Sequence, residues 1–128
     1  RYRRHQIYKR LYQAFPELKG QLDHLQVASD YADDYRGLYL YKDSLICLGL
    51  RMALLPINEL AALTLNKIVS RGRYGAKQVN YFFRARDVKG QFHTFRSYHG
   101  RNKTLAEDLE IFLVVLGQGY PDLKITSK

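Results

Sequence analysis

Apolar and polar positions alternate most regularly from Val79 to Tyr98 (VNYFFRARDVKGQFHTFRSY), where two strand-like runs flank Asp87-Val88-Lys89-Gly90. Asp at the first turn position and Gly at the fourth predict a type I turn with Gly90 as its left-handed bulge residue. That register sets Ala85 opposite His93 and Phe83 opposite Phe95, so Tyr81, Phe83, Ala85, His93 and Phe95 share one face. The other face carries Phe82, Arg84, Arg86, Phe92, Thr94, Arg96 and Tyr98, cations interleaved with rings. A lone hairpin is not stable, so the apolar face requires further strands and a cover.

The cover is legible downstream. Thr104-Leu105-Ala106-Glu107 is a capping box, and Leu105, Leu109, Phe112, Leu113 and Leu116 form one helical stripe that Gly117 is expected to end. Leu123 to Thr126 is expected to add a short last strand. Upstream, Ile7, Leu11, Ala14 and Phe15 repeat at helical spacing within residues 2–15, and Pro16 opens a second helix striped by Leu18, Leu22, Leu25 and Ala32. Asp30, Asp33 and Asp34 read as a loop; a metal site there is the sharper reading, but no Ca²⁺-loop pattern is present.

Leu38 to Lys42 alternates as a strand, Asp43-Ser44 turns the chain, and Leu45 to Leu50 reads as a strand covered on both faces. Arg51-Met52 leads into a strand over Ala53 to Ile57, with Pro56 at its end, and Asn58-Glu59-Leu60 into a helical turn. Residues 61–69 fit both periods. Ile57, Leu60, Ala61, Leu65 and Ile68 suit a helix, Leu63, Leu65 and Val69 a strand, and the neighbouring strands favour the latter. Ser70 to Lys77 reads as an exposed loop without the ending of a phosphate-binding P-loop, and His99 to Lys103 as a second basic loop.

Charge adds a partner class to this outline. The 128 residues carry a net charge of +9, concentrated in residues 1–10 and 51–103. A basic sheet implies an anionic partner or surface, or a merely solvated face. The opening RYRRHQIYKR, with Arg1, Arg3, Arg4, Lys9 and Arg10, has the look of the cytoplasmic flank of a transmembrane helix, so a membrane anchor is expected upstream of Arg1. The single Cys47 is expected to be a buried thiol.

Strands followed by one C-terminal amphipathic helix, together with Tyr41, Asp43, Leu45, Ile46, Pro56, Ile57, Glu59 and Leu60, resemble bacterial pleckstrin-homology-like domains over residues 38–125. The N-terminal RYRRHQIYKRLYQAFPEL resembles the stretch after the anchors of small membrane proteins of Gram-positive bacteria. The resemblance implies an α+β fold: an antiparallel sheet or barrel closed by the C-terminal helix in residues 37–128, with residues 1–36 as a juxtamembrane helical extension. It implies a non-catalytic module at the cytoplasmic face of the membrane. The phosphoinositide-binding members place cations between their first two strands, where this chain has only Lys42 beside Asp43-Ser44.

Catalytic chemistry finds no support. His5, His24, His93 and His99 are scattered, and no paired-carboxylate, nucleophile-elbow or dinucleotide pattern occurs, so neither enzyme activity nor a metal or cofactor is expected. Arg71, Arg73, Lys77, Arg84, Arg86, Arg96 and Arg101 are the candidate contacts for a protein partner or an anionic membrane surface. An open strand edge offers strand addition or homo-oligomer pairing. Single-stranded nucleic acid, stacked on Phe82, Phe92 and Tyr98, is the alternative, although the RNP pattern is absent.

Overall fold

The computed structural model describes residues 2–48, 53–75, 77–99 and 103–127. It is an α+β protein with two four-stranded sheets in two compact units, residues 1–58 and 59–128. No closed barrel forms among the described residues.

The first unit starts with α1 (Tyr2–Ala14), a short 3-10 turn (Pro16–Leu18) and α2 (Leu22–Ala28). Pro16 opens only the 3-10 turn, because Lys19 and Gly20 both adopt positive φ and break the second helix before it starts. Ala32 leaves the expected helix for β1 (Tyr31–Asp33), which pairs with β2 (Leu38–Tyr41); β3 (Ser44–Cys47) and β4 (Ala53–Pro56) complete an antiparallel sheet in chain order. The β2–β3 turn is Lys42-Asp43 rather than Asp43-Ser44. Both residues have positive φ, as a two-residue type I′ hairpin requires, and Ser44 is already paired with Tyr41. The expected turn at Arg51-Met52 lies outside the described residues.

Leu11, Leu18 and Leu25 share a buried core with Tyr39, Tyr41, Ile46 and Leu48. The helices are therefore built into the first sheet, and the expected boundary after residue 36 falls inside this unit, in the β1–β2 turn. Cys47 is buried, as expected. The acidic stretch is engaged locally: Asp33 Oδ1 accepts from the Arg36 amide at 3.0 Å, and Asp34 accepts from the Tyr39 hydroxyl at 2.8 Å. Burial first, and Asp34 second, push the Tyr39 hydroxyl up to about 12. Among the described residues no group of three His, Cys, Asp or Glu is placed to hold a metal.

Glu17, in the 3-10 turn, ties the helical part to the hairpin. Its carboxylate pairs with Lys42 and accepts from the Tyr41 hydroxyl at 2.8 Å. The Lys42 bond is the main reason its pKa falls from 4.5 to about 2. A carboxyl lowered on folding stabilises above its unfolded value, so this contribution is complete above pH 4.5 and lost as pH falls from 4.5 towards 2. Acid titrations of stability are expected to show a slope in that window that Glu17→Gln flattens; an unchanged slope would discount the pair.

The second unit holds β5 (Leu60–Arg71), β6 (Lys77–Asp87), β7 (Phe92–His99), α3 (Lys103–Gly119) and β8 (Lys124–Ser127). Residues 61–69 are strand. Leu63 and Leu65 point into the core opposite Ala85 and Phe83, whereas Ile68 of the helical set is 49% exposed. The sheet order is β7-β6-β5-β8, and β8 runs parallel to β5. The central hairpin has the expected register, Ala85 with His93 and Phe83 with Phe95, and Gly90 takes a φ of +88°.

The register then slips. Phe82 pairs with Ser97 while Phe83 pairs with Phe95, leaving Arg96 as an extra residue in β7. The bulge reverses the side on which Tyr98 emerges. Tyr98 is buried edge-on to Phe83, at 6.5 Å, and not on the basic face. Helix α3 begins at Lys103, one residue before its expected cap, and runs past Gly117 to Gly119. Its stripe of Leu105, Leu109, Phe112, Leu113 and Leu116 is buried, and Phe112 meets Phe83 edge-on at 5.7 Å.

Candidate functional site

The face of the second sheet that carries Arg84 and Arg86 is open. Because side chains alternate across a strand, burying Leu63, Leu65, Phe83 and Ala85 sends Ala62, Thr64, Asn66, Arg84 and Arg86 to the opposite side. The parallel pairing of β8 sets Lys124 beside Ala62 and Thr126 beside Thr64 on that side. Together with Phe92 these residues line a groove of about 330 Å³.

The groove has a small polar floor and basic walls. Thr64 and Thr126 share a hydrogen bond of 2.8 Å between their hydroxyls, and Asn66 Nδ2 donates to the Thr64 carbonyl at 3.5 Å. Arg84, Arg86 and Lys124 are exposed, and among the described residues none that lines the groove is acidic. The Arg84 guanidinium lies 4.1 Å from the centre of the Phe92 ring, a cation–π contact that orients the charge. Three cations gathered on one face repel one another until an anion is bound.

The carboxylate that follows Arg86 in the chain is committed elsewhere. Asp87, at the β6–β7 turn, accepts from the Lys89 and Gln91 amides, both at 2.9 Å, and contacts His93 Nε2 at 3.0 Å. These bonds, His93 foremost, hold the Asp87 carboxyl below its ordinary value. His93 is thus a partnered cross-strand residue at the edge of the core.

The sequence candidates divide into separate patches. Arg84 and Arg86 lie in the groove; Arg71 and Lys77 form a cross-strand pair at the far end of the β5–β6 hairpin. Seven residues of strand separate Lys77 from Arg84, roughly 23 Å. Arg73 lies in the 3-10 turn between those strands, Arg96 in the β7 bulge, and Arg101 outside the described residues. Arg3, Arg4, Lys9 and Arg10 belong to α1, where Lys9 and Arg10 are exposed; Arg1 is outside the described residues.

Lys124 and the groove floor escaped sequence reasoning. The alternation Leu63-Thr64-Leu65-Asn66 marks Thr64 and Asn66 as outward once the strand is accepted, but nothing local announces that β8 lies beside them. The stacking platform is smaller than expected. Phe92 is 57% exposed but faces Arg84, Phe82 is half-buried, and Tyr98 belongs to the core. No known family, curated protein or solved structure matches the chain.

Proposed function

We propose that the chain is a non-catalytic interaction module whose second-sheet groove takes an acidic segment of a protein partner. The convergence of Arg84, Arg86 and Lys124 on a groove without acidic lining carries this reading. A concave site with a floor of Ala62, Thr64 and Thr126 suits an extended chain bearing carboxylates better than a flat lipid surface. Single-stranded nucleic acid is the weaker fit, since its bases need free aromatic faces and Arg84 occupies that of Phe92.

The pleckstrin-homology-like reading belongs to the same proposal. Four antiparallel strands, then three more in β5, β6 and β7, then a C-terminal amphipathic helix, support it. So does a cytoplasmic position beside a membrane, for which the exposed Lys9 and Arg10 on α1 are the support. Among the described residues no helix is long and apolar enough to cross a membrane.

Fluorescence anisotropy with a labelled Asp/Glu-rich peptide and with single-stranded oligonucleotides tests the groove. The peptide is expected to bind, to weaken with added salt, and to lose about tenfold or more in affinity in Arg84→Glu/Arg86→Glu. Absence of peptide binding at low salt would overturn the reading. Oligonucleotide binding that depends on Phe92 would replace it with the nucleic-acid alternative.

A further inference from the structure

Beyond the groove, β5 and β6 run on as an arm that β7 flanks as far as Asn80 and that is two-stranded from the Val69–Val79 pair to the turn. Their core-facing residues are buried as far as Leu65 and Phe83, whereas Lys67 to Arg71, Lys77 and Gln78 are all exposed. Tyr74, in the connecting 3-10 turn, is 99% exposed and has a φ of +64°. Ile68 and Val69 are each 49% exposed. No acidic residue occurs between Glu59 and Asp87, a stretch that holds Lys67, Arg71, Arg73, Lys77, Arg84 and Arg86.

The register gives this arm a pattern. Lys67 pairs with Tyr81, Val69 with Val79 and Arg71 with Lys77. Successive pairs lie two residues apart, so all six residues emerge on one face, and an apolar pair is bracketed by cations. A two-stranded ribbon bearing exposed β-branched residues gains little from water. Its basic charge is complementary to an anionic surface, and its apolar residues need a medium that accepts them.

We infer that the β5–β6 arm docks on an anionic lipid surface, with Tyr74 entering the headgroup layer and Lys67, Arg71 and Lys77 meeting lipid phosphates. Tyrosine favours the membrane–water interface, where its ring is buried and its hydroxyl stays wet. Lys67 and Arg71 lie four residues apart, roughly 13 Å, more than the roughly 5–7 Å thickness of one headgroup layer, so the arm meets the surface along its Lys67–Val69–Arg71 face and not by its tip alone. A duplex groove would also accept a basic ribbon, but its floor of base edges is mostly polar and offers Val69 and Val79 only scattered thymine methyls. The arm and the groove share no residue, so either assignment can fail without the other.

The chain has no tryptophan, so Tyr74→Trp installs a single reporter at the tip. Its emission is expected to shift to the blue with vesicles of phosphatidylcholine plus phosphatidylserine and to stay unchanged with phosphatidylcholine alone. Co-sedimentation with the anionic vesicles is expected to fall about tenfold or more in Lys67→Glu/Arg71→Glu, and clearly less in Arg84→Glu/Arg86→Glu, which changes net charge equally. Three results would overturn the assignment: no blue shift, the same shift on both vesicle types, or equal losses in the two reversals. A shift with duplex DNA but not with vesicles would overturn it in favour of nucleic acid.

Discussion

Phe112→Ala is expected to cost the second unit about 3–5 kcal/mol, enough to unfold much of it. Phe112 has no exposure and meets Phe83 edge-on at 5.7 Å. Phe83 in turn stacks on Phe95 at 5.6 Å, so the helix joins a continuous aromatic layer spanning β6 and β7. Removing the ring leaves a cavity that rigid strands cannot collapse to fill. Small domains have only about 5–15 kcal/mol in total, so the loss is a large fraction of that. Urea denaturation and loss of the near-ultraviolet circular dichroism of the tyrosines and phenylalanines measure it. Ile111→Ala, one position earlier but 53% exposed, is expected to stay within about 0.5 kcal/mol. Equal effects would mean that α3 does not cover the sheet with the Phe112 face.

Gly37→Ala is expected to be the most damaging single-methyl change in the first unit. Gly37 closes the β1–β2 turn with a φ of +70°, and its amide donates to the Asp33 carbonyl at 2.8 Å. Its carbonyl accepts from the Leu48 amide, also at 2.8 Å. A Cβ there would sit 2.4 Å from the Leu48 carbonyl oxygen, a backbone atom that cannot swing aside. The left-handed conformation alone costs a side chain about 1–2 kcal/mol, and relieving the clash means pulling the turn away from Leu48. Gly20→Ala, also left-handed but in open space, isolates the backbone part. Denaturation midpoints are expected to fall distinctly further for Gly37→Ala than for Gly20→Ala; equal shifts would remove the close approach from the account.

The parts legible in the sequence were those written by local chemistry. The Asp87–Gly90 turn set the hairpin register, and the five-residue stripe of α3 named its buried face, because both signals lie within a few residues of what they specify. Tyr98 departs from simple alternation: Arg96 and Ser97 are two polar residues in succession between Phe95 and Tyr98, and only the pairing with β6 shows that Arg96 is the extra residue. Ser70 to Lys77 read as a loop because its glycines and cations are turn residues. Backbone pairing with the neighbouring strand nevertheless carries β5 to Arg71 and starts β6 at Lys77. The helices read as an extension, yet Leu11, Leu18 and Leu25 share a core with Tyr39 and Ile46, contacts that periodicity cannot reveal.

The candidate site divides along the same line. Arg84, Arg86 and Phe92 followed from alternation within the hairpin, whereas Lys124 and Thr126 depend on a parallel strand that returns only after the whole of α3. The seven cations proposed together also fall on more than one patch, because a strand spaces residues about 3.3 Å apart and a long hairpin carries its ends out of reach of each other.

Mapping amide chemical shifts while an Asp/Glu-rich peptide is added tests the groove most directly. The shifts are expected to concentrate on Ala62, Thr64, Asn66, Arg84, Arg86, Lys124 and Thr126, and to vanish in Arg84→Glu/Arg86→Glu. Shifts confined to α3 or to the first unit, or none at saturating peptide, would contradict the groove reading.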